Sequence, residues 1–247
     1  MKHSHHLSID IGNSSAKIAV FANKELVHHL RLTKIGILDL AQLIEKFSPK
    51  YAIISSVNQE IKPLEEFLKK HTHYTRFSAS STSGVENKYK TPNTLGLDRW
   101  AGILGAKSLF PNHACLVIDA GTCITYDVLT GKSEYYGGSI SPGIAMRFKA
   151  MHEFTGRLPE VEWNDREIIP EGSDTLSAMK NGVFQGIINE IEGFIAINNK
   201  KESALKVIIT GGDAKFLYKQ LQNSIFAPQI ILDSFIVLKG LNEAITD

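Results

Sequence analysis

Ile9-Asp10-Ile11-Gly12-Asn13-Ser14, near the start of the chain, has a counterpart near its middle in Ile118-Asp119-Ala120-Gly121-Thr122-Cys123. Each segment lies between two short runs of β-branched and apolar residues, a pattern that predicts strand, tight turn, strand. An aspartate closing the first strand can face a metal ion. The glycine lets backbone N–H groups approach a phosphate with no Cβ in the way, so two such turns facing each other can clasp a nucleoside triphosphate. A single Asp-x-Gly turn is ordinary in any α/β protein; the reading therefore depends on what surrounds the pair.

The surroundings repeat too. Strands are expected at 7–10, 16–21 and 25–32, then a helix at 37–47, a strand at 51–57, a helix at 61–70, a short strand at 74–77 and a helix at 95–110. From residue 114 the order restarts: strands at 115–119, 124–129 and 133–140, a helix from Gly143, a long helix over about 175–198, a strand at 205–210, a helix at 214–222, a strand at 229–232 and a last helix from Phe235. The two aspartates are 119 − 10 = 109 residues apart, close to half of 247, as a tandem duplication requires. The expected architecture is two α/β domains, 1–112 and 113–247, with a nucleotide cleft between them.

Composition narrows the partners. Lysine and arginine number 27 against 26 acidic residues, so there is no excess positive charge to suggest nucleic acid or an anionic membrane. Hydrophobic residues make up 43%, and no apolar run approaches the ~20 residues that span a bilayer. Cys115 and Cys123 offer neither a disulfide framework nor zinc-site spacing, and the first residues lack the apolar stretch of a signal peptide. A soluble cytoplasmic protein with a small-molecule substrate is expected, with His3, His5 and His6 in a frayed polar terminus.

Other nucleotide signatures are missing: neither Gly-x-x-x-x-Gly-Lys-Ser/Thr nor Gly-x-Gly-x-x-Gly occurs. Gly211 and Gly212, between a predicted strand and helix, supply another device, bare backbone against which a flat ring or a phosphate can lie. The polar stretch 78–94 is too long for an ordinary connection and delivers Gly96-Leu97-Asp98-Arg99-Trp100 at the start of an apolar helix. Favouring the helix dipole explains where Asp98 sits but not the loop before it. The functional reading explains both: Asp98 orients an acceptor hydroxyl and takes its proton, while Arg99 holds an anionic group. Phosphoryl transfer suits this pair, since its transition state depends mainly on alignment and charge neutralisation. Metal-bridged phosphates would then sit between Asp10, Asp119 and the turn amides.

Asp-x-Gly-Asn-Ser at 10–14, Gly-x-Asp-Arg at 96–99 and Asp-x-Gly-Thr at 119–122 closely resemble the motifs of type III pantothenate kinases. Gly137-Gly138-Ser139-Ile140-Ser141-Pro142-Gly143 and Thr210-Gly211-Gly212-Asp213-Ala214 fit the same family, so the resemblance spans almost the whole chain in order. It implies the actin-like superfamily, with duplicated ribonuclease-H-like domains, and ATP-dependent phosphorylation of pantothenate to 4′-phosphopantothenate, the first step toward coenzyme A. Asp10, Ile11, Gly12, Asn13, Ser14, Ser15, Ala16 and Lys17 would form the first phosphate loop, with Thr122, Gly211 and Gly212 also on ATP. Asp98 would accept the proton, and Tyr89, Gly96, Leu97, Asp98, Arg99 and Thr175 would meet pantothenate. Magnesium would accompany ATP, with Asp10 facing it directly or through water, and Asp119 would hold a monovalent cation, K+ or NH4+. The resemblance further implies a homodimer with the pantothenate site at the subunit interface.

Ser14 departs from the family's usual threonine but keeps a hydroxyl, and Cys123 is expected as a small buried residue rather than a nucleophile. His152 is expected to be structural. The helix after Thr175 carries a wide apolar stripe that suits either a dimer face or burial within one subunit. Two rival readings are a related kinase acting on a sugar or carboxylate and a non-enzymatic nucleotide-binding module, regulatory or filament-forming. Asp98-Arg99 argues against the second, because a pure binder needs no group aimed at an acceptor hydroxyl.

Overall fold

A computed structural model describes residues 4–12, 15–22, 24–56, 61–202 and 204–245. The chain forms two compact units, Met1–Pro111 together with Phe235–Asp247, and Asn112–Ser234.

In the first unit β1 (His5–Ile11), β2 (Ala16–Ala22) and β3 (Glu25–Leu32) form an antiparallel meander. β4 (Tyr51–Ser56) then pairs parallel with β1, and β5 (His73–Arg76) parallel with β4, giving the order β3-β2-β1-β4-β5. The parallel pairings need crossovers, which α1 (Ile37–Phe47) and α2 (Lys62–His71) provide. Leu40, Leu43, Leu64 and Leu68 from these helices pack with Leu7, Ile9, Ile18, Ala52 and Ile54 of the strands. α1 stops at Ser48, whose left-handed backbone (φ 45°) brings its N–H to the Ile44 carbonyl at 2.8 Å.

β1 starts earlier than a frayed terminus allows. His5 and His6 lie inside the strand, where His5 Nδ1 bonds the Phe47 carbonyl at 2.6 Å and His6 Nδ1 meets Asn242 Oδ1 at 3.1 Å. Their rings pack edge-on against Phe47 and Tyr51. The imidazoles thus have structural partners that a polar run of sequence does not reveal.

The second unit repeats the plan. β7 (Cys115–Ala120), β8 (Cys123–Leu129) and β9 (Glu134–Pro142) form the meander, and β10 (Lys206–Thr210) and β11 (Ile230–Leu232) add in parallel, so the order within the unit is β11-β10-β7-β8-β9. α4 (Ile144–Glu153), α5 (Thr175–Asn199) and α6 (Ala214–Gln220) complete it. The wide stripe of α5 is spent largely on this unit's own core: Met179, Val183, Phe184, Ile187, Ile188, Ile191 and Ile195 are buried with Leu116, Ile118, Val207 and Phe216. The long connection before α5 is held down by Trp163, whose ring packs on Phe184 and Phe216, and by Lys180, which pairs with Glu167 at 2.8 Å.

One element departs from a division at residue 112/113. The last helix, α7 (Ile236–Glu243), follows β11 in sequence but packs on α3 (Leu97–Leu109) in the first unit. Glycines permit the contact: a Cβ at Gly240 would fall 1.7 Å from the Ala101 carbonyl oxygen, and one at Gly105 2.2 Å from that of Ile236. Helix order follows the duplication, whereas packing follows this backbone-to-backbone fit.

Candidate active site

The first turn leaves β1 at Ile11 and enters β2 at Ala16, both buried. Gly12 N–H donates to the Ser15 carbonyl at 3.1 Å, and Arg31 Nε donates to Ser15 Oγ at 3.2 Å. Asp10 lies opposite Lys17 across the strand pair. Ile11, Ser15 and Ala16 hold the frame of the loop, while Asn13 and Ser14 lie outside the described residues. In the second turn Asp119 lies opposite Thr125, and Gly121 N–H donates to the Cys123 carbonyl at 3.0 Å. The paired positions are 17 − 10 = 7 residues apart in one unit and 125 − 119 = 6 in the other. The first loop is therefore one residue longer, and a lysine stands where the second unit has a threonine.

Around the second turn the glycine motifs acquire reasons. Gly143 N–H donates to the Thr122 carbonyl at 3.0 Å, and a Cβ there would fall 2.0 Å from the Gly121 oxygen. Gly211 adopts φ 103°, and its Cβ would come within 2.2 Å of the Ala120 oxygen and 2.5 Å of Asp119 Oδ1. Asp213 N–H closes the group on the Ala120 carbonyl at 2.9 Å. The ends of β7, β9 and β10 are thereby locked together around Asp119. Burial pushes the Asp213 carboxyl up to about 6, and the nearby Asp119 charge adds to the shift. Gly121 and Gly212 differ from their neighbours: a Cβ on either would meet no described atom within 4 Å, so bare backbone faces open space. Thr122 is exposed beside them and Cys123 is half-buried, less enclosed than a small core residue.

Behind Gly143 lies a polar network with no simple sequence signal. Glu190 of α5 accepts from Ser141 Oγ and Arg147 Nη2, each at 2.5 Å, and from the Tyr126 hydroxyl at 2.7 Å. Arg147 Nε donates to the Pro142 carbonyl at 2.8 Å. Burial opposes ionisation of Glu190, but the Ser141, Arg147 and Tyr126 hydrogen bonds outweigh it and hold the carboxyl below its usual range. Burial followed by the same Glu190 bond pushes the Tyr126 hydroxyl up.

The Asp98–Arg99 cluster forms in the first unit. Asp98 and Arg99 occupy the first turn of α3, with the Asp98 carboxylate exposed and accepting from the Arg99 N–H at 2.7 Å. Gly96 lets that carboxylate lie close, since a Cβ there would fall 2.7 Å from Asp98 Oδ1. The polar loop contains a two-residue strand, β6 (Glu86–Asn87), and is tied to α3 by buried Trp100, whose indole N–H donates to the Ser81 carbonyl at 2.7 Å. Tyr89, positioned by its own N–H on Asn87 Oδ1, lies under the Arg99 guanidinium at 5.8 Å. The loop thus brings Tyr89 to Arg99. Thr175 is exposed at the first position of α5, which Asp174 caps through Ser177. His152 Nδ1 bonds the Leu158 carbonyl at 2.8 Å, a structural role.

Two halves with the same strand order, each bearing an Asp-x-Gly turn where its meander begins, define the duplicated ribonuclease-H-like fold of the actin-like ATPases and sugar kinases. A glucokinase from an Antarctic psychrotroph shares this fold, with TM-score 0.50, 12% identity and 98% of each chain covered. A Campylobacter jejuni protein described as a Baf family transcriptional activator is similar at TM-score 0.62 and 25% identity, with 96% of each chain covered. A family model for type III pantothenate kinase matches residues 6–197. A type III pantothenate kinase of Phocaeicola vulgatus is 40% identical over 242 residues, 98% of each chain. The chain belongs to the type III pantothenate kinase family.

The residues present suit a nucleotide with its metal. Open glycine backbone at Gly212 offers an amide with no side chain over it. No cluster of three or more metal-ligating side chains occurs among the described residues. No described helix is long and apolar enough to cross a membrane.

Proposed function

We propose that, as this chain phosphorylates pantothenate at the expense of ATP, Asp98 accepts the proton of the primary hydroxyl and Arg99 holds the pantothenate carboxylate. The observation that carries the reading is the Tyr89–Arg99–Asp98 cluster, where an aromatic ring, a cation and an exposed carboxylate share one loop-to-helix junction. The Arg99 guanidinium can engage a carboxylate in two parallel bonds, and Tyr89 limits its swing. Asp98 need not be a strong base, since the hydroxyl proton becomes acidic only as the new P–O bond forms. ATP bound with magnesium supplies the activated phosphoryl group. The Lys17 ammonium would neutralise charge beside it, with Asp10 facing the magnesium.

Asp119 is assigned to the monovalent cation: burial and the nearby Asp119 charge both raise the cost of ionising Asp213, and positive charge there relieves it. A homodimer in the cytoplasm completes the reading, with Thr175 contributed to the partner's pantothenate. The supporting feature is an apolar groove of about 410 Å³ bordered by Tyr136, Phe194 and Ile197, with Tyr136 and Ile197 exposed. Sedimentation equilibrium reads the dimer directly, and a monomer at micromolar concentration contradicts it.

Asp98→Asn tests the central role. Loss of a general base costs about 10²–10⁴ in rate, so kcat should fall at least a hundredfold while calorimetry shows ATP binding nearly as in wild type. Full turnover in Asp98→Asn removes Asp98 as proton acceptor.

A further inference from the structure

The register of the first sheet sets four side chains in one transverse row: Ser55 on β4, Asp10 on β1, Lys17 on β2 and Arg31 on β3. Lys17 and Arg31 are directly opposed, a like-charge pairing that destabilises a sheet. Arg31 nevertheless spends Nε on Ser15 Oγ, the last residue of the first turn, whose carbonyl also receives the Gly12 N–H. In the second unit the equivalent row is Thr210, Asp119, Thr125 and Ile140, with no cation in it. The duplication therefore keeps the aspartate in both halves and the paired cations in one. Asp10, opposite Lys17, answers one of the two cations, so the row keeps a net positive charge, a reason to expect a further anion beside the turn.

We propose that Arg31 is a positioning residue of the ATP phosphate site: its Nε holds Ser15 at the entry to β2, and with Lys17 it places positive charge beside the polyphosphate. The proposal rests on the reading of the first turn as an ATP loop. Using Nε for Ser15 leaves the Nη1/Nη2 edge as the fork suited to phosphate oxygens. The adenine and ribose lie outside its reach by this account, so its contribution should scale with the phosphate chain.

The test is calorimetric titration of the full chain with ATP, ADP and adenosine, alongside steady-state kinetics, for wild type, Arg31→Ala, Arg31→Lys and the exposed β3 control Val27→Ala. Losing a charge-assisted bond near phosphate should weaken ATP about tenfold or more in Arg31→Ala. Adenosine affinity and the KM for pantothenate should stay within about twofold, on the same scale. Arg31→Lys should recover part of the loss, since it keeps the charge without the fork, and Val27→Ala should match wild type. Unchanged ATP and ADP binding in Arg31→Ala overturns the proposal. So does an equal loss of adenosine and ATP, the mark of a merely structural role. A wild-type protein that binds ATP but leaves pantothenate unphosphorylated fails the functional reading alone, because binding still judges Arg31.

Discussion

At the scale of single residues, the glycines around Asp119 separate folding from ligand binding. Gly211→Ala forces a Cβ into the Ala120 oxygen and Asp119 Oδ1 at φ 103°, so it should cost about 1–3 kcal/mol in urea unfolding. Gly212→Ala meets open space and should change stability by less than about 0.5 kcal/mol while raising the KM for ATP. Equal stability of the two variants contradicts the packing described. Glu190 makes a pH prediction. Its folded carboxyl titrates below the unfolded value of about 4.3, so its bonds to Ser141, Arg147 and Tyr126 stabilise the fold above that value and are lost as pH falls through the folded one. Melting curves between pH 5 and pH 3 should therefore fall more steeply for wild type than for Glu190→Gln, and parallel slopes contradict this. Asp98, Arg99 and the two turn aspartates were legible because each sits in a short local pattern. Glu190 and Arg31 were not, since their partners are supplied by strands and helices distant in sequence.

At the scale of elements, periodicity and turn residues revealed nearly every strand and helix, because each has its own apolar face and its own stop signal. What periodicity leaves open is the partner. The α5 stripe suited two destinations, and the core of the second unit takes most of it. Phe184→Ala, which removes a ring packed on Phe148, Trp163 and Phe216, should destabilise by about 3–5 kcal/mol. A loss below 1 kcal/mol in chemical unfolding, on the scale of surface changes, is incompatible with that packing. α7 shows the same limit from the other side. Gly240 lies inside α7, and its purpose appears only when Ala101 of α3 is found against it. Gly240→Val should therefore lower the unfolding midpoint far more than Val27→Ala on exposed β3.

At the scale of the whole molecule, duplication made the fold legible: one strand order read twice, with an Asp-x-Gly turn at the same place in each reading. The halves have since diverged in charge, with Lys17 and Arg31 beside one aspartate and Thr125 and Ile140 beside the other. The monovalent cation proposed for Asp119 makes a prediction of its own: replacing potassium with sodium should lower turnover, and equal rates in both salts contradict that assignment. The account's central claim is tested most directly by incubating the purified protein with ATP, magnesium, potassium and pantothenate and following the phosphorus by NMR. The account predicts a new phosphomonoester on the primary hydroxyl of pantothenate with stoichiometric ADP, whereas ATP left intact, or consumed with only inorganic phosphate released, contradicts it.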